Sequence, residues 1–420
     1  MSQTPLAWAA ENGHCAVVKI LLDRDDIHPD KPAEDRATPL FLAAMNGHEE
    51  IVKLLLERDD VNPDEPDEGG LTPLWCAIYN FHEGVVKILL GRDDVNPNKL
   101  NEDGETPLMW AFSLGEEGMV NLLLGRDDVS PSEPDKYGRT PLWWAAHNQH
   151  EEAVKILLGR DGVNPNTPNT GGKPPDYDGQ PPDTGGRTPL WWAANHGHEG
   201  IAKILLGRDD IDPNKPDGDG QTPLDIAGET GYEGVSRILH ARDGINADKP
   251  DKEGQTPLWW AANYGYEGMV KILLGRVDVN PDNSNMDGQT PLSCAAEGGY
   301  EGVVRTLLGR DEVNPNNPDK DGKTPLWWAA DCECEGAVKA LLERDDVDPD
   351  KPDTCGLTPL ACAAKNGYKG VVKILLQRDD VDPNKPDKYG RTPLQLAILN
   401  SHEGVIDLLQ PPTSTAHSAA

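Results

Sequence analysis

Thr256-Pro257-Leu258-Trp259-Trp260-Ala261-Ala262-Asn263-Tyr264-Gly265, followed by Tyr266-Glu267-Gly268-Met269-Val270-Lys271-Ile272-Leu273-Leu274-Gly275-Arg276, is the stretch that decides the fold. The Thr256 hydroxyl suits a helix N-cap, and Pro257 suits the first helical position, where its missing N–H costs nothing. Leu258, Trp260 and Ala261 supply an apolar face, and the small Ala261-Ala262 pair lets a neighbouring helix approach. Gly265 ends this short helix, where a left-handed residue is usual. A second helix is predicted from about Glu267, with Val270, Leu273 and Leu274 at the i, i+3, i+4 spacing of one buried stripe. Glu267 favours the positive start of that helix and Arg276 its negative end.

The pattern recurs. Thr-Pro-Leu begins at Thr4, Thr38, Thr72, Thr106, Thr140, Thr188, Thr222, Thr256, Thr290, Thr324, Thr358 and Thr392, at a spacing of 34 residues except for 48 between Thr140 and Thr188. The extra residues have a visible origin, because Asn169-Thr170-Gly171-Gly172 returns as Asp183-Thr184-Gly185-Gly186. This tandem duplication predicts an extended Pro/Gly-rich loop over 165–186, with Pro174, Pro175, Pro181 and Pro182 opposing helix and strand. Each second helix is followed by an extended arm opening on Val or Ile, from Ile27 and Val61 to Val347 and Val381. Tips such as Asp319-Lys320-Asp321-Gly322 read as tight turns needing positive φ at Gly.

Thr-Pro-Leu-x-x-Ala-Ala, then Gly-His, then Val-Val-Lys-x-Leu-Leu resembles the ankyrin repeat, usually a unit of about 33 residues. The resemblance covers residues 2 to about 410 in twelve units. It implies an all-α solenoid of helix–turn–helix units with short β-hairpin-like arms, one array over 1–410, and a flexible tail over 411–420. Gly197-His198-Glu199-Gly200 and Arg58-Asp59-Asp60-Val61-Asn62-Pro63 are similar to long arrays of fungal proteins. Three departures stand out. Gly-Arg-Asp-Asp lengthens the unit by one residue. The family's bridging His after Thr-Pro-Leu is replaced at Trp75, Trp143, Trp191, Trp259 and Trp327. Phe81, Gln149, Glu333 and Ser401 occupy the inter-helix Gly position, which predicts left-handed strain of about 1–2 kcal/mol each.

Trp8, Trp110, Trp144, Trp192, Trp260 and Trp328 stand at the second position after Thr-Pro-Leu, where the family places a buried Leu, and are expected in the core. The first-position Trp residues are expected to stack along the solenoid, with partial groove exposure as the alternative. The resemblance further implies binding through the turn tips and the exposed ends of the first helices, which line a concave face. Met45, Tyr79, Leu114, His147, His196 and Tyr264 are the candidates just after Ala-Ala, and Tyr137, Arg139, Tyr389 and Arg391 those at the tips. Tyr and Arg are frequent interface anchors.

A formal charge of −33 opposes contact with nucleic acid phosphate or an anionic membrane face. The acid either keeps a long array soluble or attracts a basic partner. No apolar run approaches the ~20 residues of a membrane span. Residues 1–30 lack a basic stretch leading into an apolar one, so no secretory signal is expected. Seven irregularly spaced cysteines do not form a disulfide framework, and a cytoplasmic or nuclear setting is expected.

No catalytic, cofactor or metal site is expected. Cys332, Cys334, Cys355 and Cys362 lack the paired knuckles of a zinc site. Asp217-Gly218-Asp219-Gly220 lacks the closing Glu of a calcium loop. His14, His48, His82, His150, His198 and His402 share one register place with Tyr232, Tyr266, Tyr300 and Tyr368, which suits packing rather than a catalytic base. The expectation is a monomeric, non-catalytic scaffold for a protein partner, or the recruiting or sensor arm of a multidomain protein. At the ends, Gln410 replaces a core Leu before Pro411-Pro412, and Trp8 and Leu6 are expected to have an uncovered side.

Overall fold

The computed structural model describes residues 3–33, 36–171 and 185–410. Most of the predicted loop over 165–186, and the whole tail over 411–420, lie outside the described residues. The chain divides into two compact units, Met1–Gly218 and Asp219–Ala420, with six repeats in each. The described residues form twenty-four helices and no strands, an all-α repeat fold.

Every Thr of Thr-Pro-Leu caps its helix, as where Thr256 Oγ1 accepts the Trp259 N–H at 3.2 Å, with Pro in the first turn. Within each unit, first helices pack on first helices of the adjoining repeats, and second on second. The Ala-Ala pairs are fully buried at these crossings, and Leu40, Leu74, Leu258 and Leu326 are inaccessible to solvent. The arms turn back as hairpins without strands: Asp319 N–H donates to Lys323 O, and Gly322 N–H to Asp319 O. Consecutive tips are also joined, as by Lys320 N–H to Asp287 O at 2.9 Å in the second unit and Thr170 N–H to Tyr137 O at 2.8 Å in the first.

Three side-chain ladders hold neighbouring repeats in register. Arg58, Arg92, Arg310 and Arg378 each fork onto an acid two residues later, while Nη1 donates to the last helical carbonyl of the preceding repeat. The expectation that Arg276 serves its own helix is corrected, because Nη1 reaches His240 O of the helix before it at 3.3 Å. Second, the Glu opening a second helix lies over the Gly of the next, so that a Cβ on Gly302 would stand 2.1 Å from Glu267 Oε2. Third, a ring fills the glycine turn of the preceding repeat. His48 packs on Gly13, with Nε2 donating to Glu11 O at 3.0 Å, and Tyr300 packs on Gly265. That explains why His and Tyr exchange at this place.

Phe81, Gln149, Glu333 and Ser401 do adopt positive φ, between 57° and 63°, and Arg36 joins them at a tip. The tryptophan expectation is corrected in part, at the second position only. First-position indoles stack between repeats as expected, and Trp75, Trp143, Trp191, Trp259 and Trp327 are all buried. Three keep a hydrogen bond to the next tip, Trp75 Nε1–H to Lys99 O, Trp259 to Gln289 O and Trp327 to Leu357 O, so the family's polar bridge is replaced there, whereas Nε1 of Trp143 and of Trp191 is buried without a partner. At the second position Trp144 and Trp192 are buried, Trp110, Trp260 and Trp328 half-buried, and Trp8 50% exposed. Trp110 and Trp192 pack on the first-position indoles of the preceding repeat, 5.9 Å from Trp75 and 5.0 Å from Trp143, whereas Trp8 is met by the ring of its own His14 at 5.0 Å. Val17 and Ile20 are exposed on the same repeat.

Candidate functional site

The ends of the first helices carry the side chains that vary between repeats, on a framework of caps and Ala pairs that does not. In the first unit Tyr79 is 55% exposed and stacks on Trp110, with centroids 5.9 Å apart and planes at 17°. Phe81, beside it at the strained turn, is exposed as well. Met45 is half-buried against the cluster of Ala7, Phe41 and Leu42, and Leu114 is half-buried at the end of its helix.

Repeats 5 and 6 bring His147 and His196 together at 5.2 Å, each stacked on its own tryptophan, Trp143 and Trp192. His198 adjoins them. Its Nε2–H donates to His147 O, so Nδ1 is left to accept from Gln149 Nε2 at 2.7 Å. Burial lowers the His198 pKa, and the nearby His196 adds to this against the pull of the His147 carbonyl. Gln149, in a glycine's conformation, thus hydrogen-bonds an imidazole of the next repeat.

At the tips, Arg139 is not a surface anchor. It is 4% exposed; Nε donates to Asp135 Oδ2 at 2.5 Å, Nη2 faces Glu105 Oε1, and the guanidinium lies 4.3 Å from the Trp144 ring. Its charge is spent inside the stack, where two carboxylates from successive tips would otherwise be buried unpaired. Tyr137 is half-buried, with Lys136 and Arg139 over its ring. In the second unit Tyr389 is 69% exposed beneath Lys388 and Arg391, and Arg391 donates Nε–H to Asp387 Oδ2 at 2.7 Å. Tyr264 is exposed and stacks between Trp260 and Tyr266. Burial raises its phenol pKa, with the Glu229 carboxylate adding to the effect.

The sequence reading missed Phe81 as a surface residue, the half-buried Trp110 and Trp260, and Tyr266. Only Trp260 had a signal in register, the aromatic Tyr264 four residues later at the end of the same short helix; Phe81, Trp110 and Tyr266 have no aromatic at that spacing. No three His, Cys, Asp or Glu side chains converge to hold a metal among the described residues. Cys362 Sγ–H donates to Asp331 Oδ1 at 3.0 Å, while Cys334 faces Glu297 O and Cys355 faces Lys388 Nζ. No helix of the described residues is long and apolar enough to cross a membrane.

A family model described as ankyrin repeats, three copies, matches residues 6–101, 83–169, 174–251, 209–285, 237–319, 276–353 and 346–416. No curated protein matches the chain.

Proposed function

Since the chain belongs to the ankyrin-repeat family, whose members are generally protein-interaction modules, we propose that it is a non-catalytic scaffold that takes a protein partner on its first-helix ends and tips. One observation carries this reading. Framework side chains of every repeat are consumed by caps and inter-repeat ladders, whereas Tyr79, Tyr264 and Tyr389 stay exposed at places that differ from repeat to repeat. Exposed tyrosines are frequent anchors of interfaces. Arg139 and Tyr137 are not among these anchors, and Arg391 serves mainly to pair Asp387.

The test is affinity capture with the full chain, repeated with Tyr79→Ala, Tyr264→Ala and Tyr389→Ala combined. The triple variant is expected to keep the wild-type helical circular dichroism and to lose partners that the wild type retains. Identical partner recovery by the folded variant would refute the assignment of these rings.

A further inference from the structure

Four repeats carry Trp-Trp directly after Thr-Pro-Leu: Trp143-Trp144, Trp191-Trp192, Trp259-Trp260 and Trp327-Trp328. In three of them the residue before the Thr is cationic and lies over both indoles. Arg139 stands 5.5 and 4.3 Å from the two centroids, Arg187 4.4 and 5.6 Å, and Lys323 4.6 and 4.1 Å. In the fourth repeat that residue is Gln255, and among the described residues no Lys or Arg stands over Trp259 or Trp260.

The acidic side of the same place matches. Arg139 and Arg391 are ion-paired with the Asp four residues earlier, Asp135 and Asp387. The equivalent Asp251 is buried and has no ion-pair partner among the described residues; its Oδ1 accepts from the Glu253 and Gln255 N–H groups, and its Oδ2 from Trp260 Nε1–H at 3.2 Å. In the repeat of Trp143 and Trp144 a buried carboxylate beside the indole pair is thus completed by a cation; in that of Trp327 and Trp328 the cation lies over the indoles while Trp328 Nε1–H holds Asp319; here the carboxylate and the indoles are present without the cation. The place reaches solvent, since the side chains of Lys323 and Arg391 remain 21% and 41% exposed there. Beside it runs the ring row of Trp260, Tyr264 and Tyr266, with Trp260 and Tyr264 at 5.9 Å and 10°, and Glu229 acts on Tyr264 from the preceding repeat.

We infer that Trp260, Tyr264 and Asp251 form a subsite for a cationic side chain of the partner, preferably arginine, presented on an extended segment. The inference rests on the reading of the first-helix ends as a docking surface. A guanidinium fits because it is planar and weakly hydrated, stacks on indole and phenol faces, and offers several N–H donors to a carboxylate.

Nine-residue synthetic peptides, immobilised, with randomised flanks and a central Arg, Lys or norleucine, provide the probe. The full chain is expected to retain the Arg-centred set about fivefold better than the norleucine set, the factor that a cation–π contact of ordinary strength supplies. Gln255→Arg, which would fill the place from within, is expected to abolish that preference and to raise Tm. Tyr264→Ala is expected to abolish the preference too. Val277→Arg adds the same charge at a fully exposed turn and is expected to keep it. If the three peptide sets bind equally and Tyr264→Ala weakens all of them, the docking surface stands and the cationic subsite is refuted. If Val277→Arg acts like Gln255→Arg, bulk charge explains the preference and the subsite is again refuted. Retention of no peptide at all would reject both readings.

Discussion

At Asp225 a carboxyl occupies the place that five other repeats give to an indole. Its Oδ2 takes the Thr222 N–H and hydroxyl at 2.7 and 2.6 Å, while Oδ1 is buried with no hydrogen-bond partner. Burial pushes its pKa up to about 8, Asp251 adds to this, and the two Thr222 bonds and Lys249 oppose it. An acid raised in the folded state is most favourable to folding below the ordinary carboxyl range, and that advantage is lost as pH climbs through the folded value. Asp225→Asn is therefore expected to raise Tm by about 3 °C or more at pH 9 and to leave it unchanged at pH 4; an equal gain at both would reject this account. Asp64 poses a milder case. Its Oδ2 accepts the Asn96 N–H, but Oδ1 is buried without a partner, and burial raises its pKa against the Asn96 bond, Lys99 and Arg126, with Asp94 adding to the rise. The same rung in the next repeat is Asn98, which accepts from Ser130 N–H and donates Nδ2–H to Asp128 O at 2.7 Å. Asp64→Asn is expected to stabilise by about 1 kcal/mol near pH 8, and by less at pH 4, in urea titrations. Loss of stability would show that the amide does not find the carbonyl that Asn98 finds.

The short helices take their start and stop from local chemistry, and that much was legible: the Thr caps and the Pro in the first turn follow from residue type, and the left-handed turns at Phe81 and Gln149 from their place in the repeat register, against their residue type. What a helix hands to its neighbour was not legible, because that depends on how the helix is rotated against the next repeat. Residue type assigns Glu267 to its own N-terminus, yet its carboxylate lies over Gly302 of the following helix, where a methyl would displace it. The partial exposure of Trp8, Trp110, Trp260 and Trp328 was not legible for the same reason, since residue type cannot say how far each of two adjacent side chains is covered. Arg139 read as an anchor because tips are usually exposed, and its burial depends on Glu105 from the preceding tip. Gly302→Ala is expected to be nearly neutral in the wild type, because displacing the half-exposed Glu267 carboxylate offsets the roughly 1 kcal/mol by which Ala exceeds Gly in a helix. In a Glu267→Ala background nothing is displaced and the full gain should appear. Denaturant titration of the four proteins closes the cycle, and an equal effect in both backgrounds would disprove the contact.

Each repeat packs chiefly on its neighbours within a unit, so stability should behave as a sum of repeat and interface contributions. Leu89 is inaccessible to solvent in the second helix of repeat 3. Leu89→Ala is expected to cost about 2–5 kcal/mol and to weaken amide exchange protection in repeats 2–4, while repeats 9–11 keep theirs. Uniform loss along the chain would mean cooperative unfolding of all repeats at once. Periodicity made the repeat architecture plain from the chain itself, whereas the partner is chosen by the few side chains that escape the period. The arginine ladder adds a directional consequence. Leu274 has its carbonyl closed by Arg310, and Leu342 by Arg378, so each helix is sealed by the repeat that follows it. Cutting such a stack harms its two sides unequally: the upstream piece is left with an open helix end, while the downstream piece merely keeps an idle arginine. Fraying should accordingly creep backward from a cut toward the amino terminus more readily than forward from it.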